Sequence, residues 1–111
     1  MRNKKIVELD RMAREASELL SAMANEKRLM ILCHLLEGET NVNDLAELVD
    51  MNQSALSQQL SKLRALKLVD TRREAQQVYY RLASEEVERI LHTLYGIYCD
   101  PKTKTAKIRA L

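Results

Sequence analysis

Phenylalanine and tryptophan are absent from this 111-residue chain, and the only aromatic residues are four tyrosines. Its core must therefore be filled by Leu, Ile, Val, Met and Ala. Glycine and proline are scarce too, at two and one. That scarcity excludes collagen-like and Pro/Gly-rich low-complexity chains and leaves a mainly helical fold. No apolar run approaches the roughly 20 residues of a membrane span, and the start MRNKKIVELD lacks the apolar stretch of a signal peptide. A soluble, cytoplasmic protein with no membrane partner is expected. In such a reducing compartment Cys33 and Cys99 are ordinarily free thiols rather than a structural disulfide. There is no C-x-x-C, no glycine-rich phosphate loop, and no Ser/His/Asp or metal-hydrolase set, so no enzyme activity is expected. The length suits one domain, small enough that a second subunit can supply much of its burial.

What is present is organised around NDLAELVDMNQSALSQQLSKLRAL, residues 43–66. Leu45, Leu48 and Val49 fall on one helical face, and Ala55, Leu56, Leu60, Leu63 and Leu66 on another. Asp50, Met51 and Asn52 break the period between them, and Ser54 is placed to cap the second helix. The outward face of that second helix carries Gln53, Ser57, Gln58, Ser61, Lys62 and Arg64. An ordinary pair of surface helices also has a polar outer face. Short polar side chains in this pattern, however, suit base edges and phosphates in a major groove, as in a helix-turn-helix.

The flanking segments extend that outline. Ile6, Leu9, Ala13, Ala16, Leu19, Leu20 and Met23 form an apolar stripe over 6–24. Asn25 caps a second helix that ends at Gly38, with Leu29, Leu32, Cys33 and Leu36 on its inner face. Residues 40–42 link it to the helix-turn-helix. After Leu66 the period shortens, and Leu68–Arg72 and Val78–Leu82 read as a hairpin joined near Glu74–Gln76. A hairpin in that position is a wing, whose Arg72, Arg73, Gln76 and Gln77 are placed to reach DNA; a plain edge hairpin has solvated arginines as well. Ser84 starts a last helix running to about Cys99, with Val87, Ile90, Leu91, Leu94 and Tyr98 as its stripe, and Asp100-Pro101 stops it. The expected organisation is one domain over 1–100 and a basic tail over 101–111. The terminal helices carry more apolar surface than this small domain covers, so a homodimer joined through them is expected, suited to two half-sites one DNA turn apart.

Net charge is only +2, but it is unevenly placed. Residues 54–82 hold six basic and two acidic side chains, whereas residues 37–50 hold five acidic and no basic ones. Such polarity fits one face addressed to phosphate, although solvated surfaces also segregate charge.

This order of helix, helix, helix-turn-helix, hairpin and helix resembles the ArsR–SmtB family of dimeric winged-helix repressors. The similarity runs from Leu19 to Cys99, carried by LLSAMANEKRLMILCHLLEGE (19–39), QSALSQQLSKLRALKLVDTRREAQQVYYRL (53–82) and the final helix. The resemblance implies a mainly α fold with a small β-hairpin, a winged helix-turn-helix that dimerises through its terminal helices. It also implies inverted-repeat operator DNA as partner, contacted by Gln53, Ser54, Ser57, Gln58, Ser61, Lys62, Arg64, Arg72, Arg73 and Gln77. The family's S-x-x-S-x-H-L reads Ser54-Ala55-Leu56-Ser57-Gln58-Gln59-Leu60 here, with Gln59 in place of histidine. Glu74-Ala75 stands where a wing-tip glycine is frequent. Metal-sensing relatives use a C-x-C beside the first helix of the helix-turn-helix, where this chain has TNVNDL, or paired His and carboxylates on the last helix. Only His92, four residues after Glu88, is available there, and a lone helical histidine is ordinarily solvated. No metal or cofactor is expected.

Cys33 on an apolar helix face reads, from periodicity alone, as a small core residue. MILCHL and LYGIYCDP, however, are similar to the segments that carry the cysteine pair of the dithiol, BigR-like branch of the family, which responds to persulfides and polysulfides. The resemblance implies that Cys33 and Cys99 of one subunit are sensor thiols and that a sulfur bridge between them weakens DNA binding. Neither thiol reads as strongly acidic: Cys33 lies among leucines, and Cys99 lies at a helix C-terminus beside Asp100. A direct disulfide needs Cα atoms about 4.4–6.8 Å apart. Thiols held farther apart favour a bridge lengthened by extra sulfur. A general peroxide or thiol-redox regulator uses the same residues, and a ligand-independent regulator leaves them idle.

Overall fold

The computed structural model describes residues 3–99. Its five helices all begin where a short polar side chain accepts from an N–H that the first turn leaves unpaired. Asn3 caps α1 (Lys4–Met23) and Asn25 caps α2 (Glu26–Glu37). Asn41 caps α3 (Val42–Val49), Asn52 caps α4 (Gln53–Ala65) and Ser84 caps α5 (Glu85–Tyr98). The expectation that Ser54 caps the fourth helix is corrected. Asn52 is extended (φ −73°, ψ 156°) and its Oδ1 accepts from the Ala55 N–H at 2.8 Å. Gln53 is already helical, so Ser54 lies inside the first turn.

Both helices of the central motif close through left-handed residues. Asp50 (φ 54°) follows α3, with the Met51 N–H donating to the Ala46 carbonyl at 3.0 Å. Lys67 (φ 64°) follows α4, with the Leu68 N–H donating to the Leu63 carbonyl at 2.9 Å. Two basic side chains of α2 satisfy other helix ends. Lys27 Nζ donates to the Val49 carbonyl at 2.8 Å, and Arg28 Nη1 donates to the Ala22 carbonyl at 3.1 Å.

The wing is a three-stranded antiparallel sheet rather than the expected two-stranded hairpin. Strands β1 (Thr40–Asn41), β2 (Val69–Glu74) and β3 (Gln77–Leu82) lie in the order β1-β3-β2. Thr40 faces Tyr80 and Asn41 faces Tyr79, so the supposed linker at 40–42 is partly an edge strand. Glu74 opposite Gln77 closes the tip, and Ala75 takes the left-handed conformation (φ 55°) without a glycine. Arg72 and Arg73 therefore sit on the β2 stem, just below the turn.

The core is aliphatic, as the composition requires. Ile31, Leu32, Leu45, Leu56, Leu60, Leu63, Val69 and Val87 are completely buried. Leu48 (55% exposed) and Leu66 (51%) are not core residues, against expectation. On the two-turn helix α3 the buried face centres on Leu45, Ala46 and Val49, which puts Leu48 roughly a third of a turn away. Leu66 caps α4 beyond its last core leucine. The terminal helices keep apolar surface: α1 buries only Ala22 and Met23 and exposes Ile6, Leu9, Met12 and Leu20, while Tyr95 and Ile97 of α5 are exposed. Among the described residues no helix is long and apolar enough to cross a membrane. The Asp100-Pro101 stop and the basic tail fall outside the described residues.

Two substitutions test this local chemistry in opposite directions. Asn52→Ala is expected to lower stability by about 1 kcal/mol through loss of the cap. Ala75→Gly is expected to raise it by up to about 1 kcal/mol by relieving the left-handed alanine. Urea denaturation of each variant against wild type reads both signs.

Candidate nucleic-acid interface and thiol pair

Helix α4 turns Leu56, Leu60 and Leu63 into the core, which forces the opposite side outward. Gln53, Ser54, Ser57, Gln58, Ser61, Lys62 and Arg64 are all exposed. The Gln53 amide donates to Asn43 Oδ1, linking the start of α4 to α3. Gln59, at the family's histidine position, is instead half-buried, and its Oε1 is buried without a hydrogen-bond partner among the described residues. Lys62 and Arg64 lie in the last turn of α4, where positive charge complements the helix dipole.

The wing's charges are largely answered within the molecule. Arg72 Nε donates to both Glu39 carboxylate oxygens at 3.0 and 3.2 Å, and its Nη2 lies 2.9 Å from Glu39 Oε1. Its Nη1 donates to Glu74 Oε2 at 3.0 Å, and the guanidinium carbon lies 4.9 Å from the centre of the Tyr79 ring. Hydrogen bonding from Arg72 holds the Glu39 carboxyl below its ordinary range, and the two carboxylates push Arg72 further up. Arg81 pairs with Asp70 at 3.3 Å; the Thr71 N–H, and then Arg81, hold the Asp70 carboxyl below its ordinary range. The basic excess counted over 54–82 thus overstates what faces a ligand. Lys62, Arg64, Lys67 and Arg73 make no ion pair among the described residues. Arg73 and Gln77 are exposed. Sequence reading missed Glu39, Asn43 and Tyr79, whose roles depend on pairing across the fold.

The two thiols lie on helices that pack together, Cys33 within α2 and Cys99 at the end of α5. Cys33 is half-buried against the core, and Cys99 is exposed immediately after α5, its N–H donating to the Tyr95 carbonyl at 2.8 Å. Burial pushes the Cys33 thiol up first; the negative charges of Cys99 and then Glu37 push it further. His92 Nε2 stands 3.9 Å from Glu88 Oε1 on the exposed side of α5. No group of three or more His, Cys, Asp or Glu side chains able to hold a metal occurs among the described residues.

Comparison with known proteins places this geometry. A family model described as "Bacterial regulatory protein, arsR family" matches residues 25–71. The transcriptional activator HlyU of Vibrio cholerae is 48% identical over 92 residues, covering 83% of this chain and 85% of HlyU. The biofilm growth-associated repressor of Agrobacterium fabrum is 44% identical over 94 residues, covering 85% of this chain and 80% of that protein. The chain belongs to the ArsR family. Among solved structures, the transcriptional repressor BigR of Xylella fastidiosa superposes with a TM-score of 0.79 at 36% identity, covering 84% of this chain and 95% of BigR. This ArsR-family member is accordingly a DNA-binding transcriptional regulator of winged helix-turn-helix fold, and not an enzyme.

The environment of Cys33 predicts its reactivity. Its raised pKa keeps the thiolate fraction below that of an ordinary thiol at neutral pH, so its alkylation rate is expected to keep climbing past about pH 9. At neutral pH Cys33 is expected to alkylate more slowly than exposed Cys99. The same shift stabilises the fold below the ordinary thiol pKa, a contribution lost as pH rises through the raised value. Timed iodoacetamide labelling followed by peptide mass analysis reads the two rates; a faster Cys33 contradicts the burial argument.

Proposed function

We propose that the chain acts in the cytoplasm as a dimeric, sequence-specific repressor that leaves its operator when a persulfide or polysulfide joins Cys33 to Cys99. The observation that carries this reading is the thiol pair itself, Cys33 within α2 and Cys99 at the end of α5, the two helices packing against each other. The reaction balances without another oxidant. The thiolate of one cysteine takes the outer sulfur of a low-molecular-weight persulfide and releases the corresponding thiol. A second transfer lengthens the chain to Cys–S–S–SH. The other cysteine attacks its middle sulfur, HS⁻ departs, and a Cys–S–S–S–Cys bridge remains. Two persulfides are consumed, and two thiols and one hydrogen sulfide are formed.

The exposed stripes of α1 and α5 fit a twofold partner, since a second copy buries them and repeats α4 on the other side of an inverted operator. In that arrangement Ser57 and Gln58 read base edges from the middle of α4, while Lys62 and Arg64 neutralise phosphate. Ser57→Ala and Gln58→Ala are each expected to cost about 1–3 kcal/mol on the specific site. Lys62→Ala should weaken all duplexes alike. Equal affinity of the Ser57 and Gln58 variants for the specific site puts the wrong face in the groove.

The switch is tested by adding an organic persulfide to reduced protein bound to an inverted-repeat duplex. Wild type should dissociate, whereas Cys33→Ser and Cys99→Ser should each stay bound. Hydrogen peroxide at a similar dose should not release it. Release by peroxide favours a general redox regulator, and release of the double serine variant by persulfide rules out the thiols as the switch.

A further inference from the structure

The wing carries two adjacent arginines, and the sheet register separates them. The cross-strand pairs Asp70–Arg81, Arg72–Tyr79 and Glu74–Gln77 share one face, because side chains alternate along each strand. Arg73 belongs to the other face. On the first face the charges close on themselves. Arg72 rises from β2, passes over Tyr79 on the central strand, and ends on Glu39, just before β1. All three guanidinium nitrogens are engaged, Nε and Nη2 by Glu39 and Nη1 by Glu74. An isolated surface ion pair holds little, but a planar fork meeting two carboxylates over an aromatic ring sets direction as well as distance. Arg72 therefore laces the outer strand of the wing across the sheet to the segment that follows α2. Arg73, exposed and without an ion pair among the described residues, has no such anchor.

We infer that Arg72 is a positioning residue: anchored on Glu39 and laid over Tyr79, it sets the angle of the wing and leaves contact with backbone phosphate to Arg73. This rests on the reading that the wing lies against DNA, and it reassigns one of the two arginines expected to touch it.

The rival is that Glu39 merely occupies Arg72 until phosphate displaces it, and the two schemes give opposite signs. If Arg72 contacts phosphate, Glu39→Ala frees a cation and removes an anion, so binding tightens and its salt dependence steepens. If Arg72 positions the wing, Glu39→Ala loosens it and binding weakens although positive charge has been added. The probe is a duplex selected on the reduced wild-type protein, titrated over a range of salt with full-chain variants. Arg72→Ala and Glu39→Ala are each expected to weaken binding about three- to tenfold, with the double variant no weaker than either. The slope of log K against log salt should stay at the wild-type value for Arg72→Ala. For Arg73→Ala it should fall by about two in a dimer, close to one per phosphate contact. Hydrogen exchange without DNA supplies an independent arm: amides of β2 and β3 should exchange faster in Arg72→Ala and Glu39→Ala and unchanged in Arg73→Ala. Tighter binding by Glu39→Ala, or a slope loss in Arg72→Ala equal to that of Arg73→Ala, overturns the inference. So does wing exchange unchanged in Arg72→Ala. If wild type selects no duplex, the DNA-binding reading of the wing fails, and hydrogen exchange alone decides whether the lacing exists.

Discussion

The apolar face of α2 buries Ile31, Leu32 and Leu35, each worth about 1.5–3 kcal/mol of transfer free energy, and α1, α3, β3 and α5 all pack on that helix. Its two ends are used as well. Lys27 and Arg28 in its first turns close the carbonyl ends of α3 and α1, and Glu39, two residues beyond its last turn, anchors the wing. Cys33 lies on the same helix, half-buried against the core. A displacement of α2 is therefore felt at the helix that orients α4, at the wing and at the terminal helices together. Close-packed interiors transmit such shifts because there is little empty space to absorb them.

Charge is arranged around the same frame. The acidic stretch between α2 and α4 is more than a solvated surface, since Glu39 and Asp44 serve a wing arginine and the α3 cap. Of the basic side chains in residues 54–82, those making no ion pair among the described residues are Lys62, Arg64 and Lys67 at the C-terminal end of α4 and Arg73 on the wing. Short neutral side chains, Ser57, Gln58 and Ser61, are exposed on the preceding turns of α4. That distribution suits a protein whose affinity is set by phosphate neutralisation and whose selectivity is set by a few hydrogen bonds.

Local patterns were legible in the sequence. Helix stripes, the break at 50–52, the Asn25 and Ser84 caps and the change of period after Leu66 are each written in neighbouring residues, and each element formed within a few positions of its expected bounds. Features set by distant pairing were not legible. A two-residue strand at Thr40 has no periodicity to detect and exists because Tyr79 and Tyr80 offer it partners. The Arg72–Glu39 contact joins residues 33 apart. Leu48 belongs to an apolar spacing but faces out because it lies about a third of a turn from the buried face centred on Leu45, Ala46 and Val49. Asn52 and Ser54 are both good caps; the conformation of Asn52, extended while Gln53 is already helical, decides between them.

The thiols join these threads, because each lies on a helix whose other face supports something else. Cys33 shares α2 with the core, and Cys99 ends a helix whose exposed stripe fits a second subunit. In the proposed switch a bridge between them would act on both, so its connectivity is the decisive quantity. Intact-mass and peptide analysis of the persulfide-treated protein measures it directly. The expected product is a single chain gaining one sulfur and losing two hydrogens, with Cys33 and Cys99 in one cross-linked peptide pair. Separate modification of the two cysteines, or a link between chains, contradicts the proposed switch.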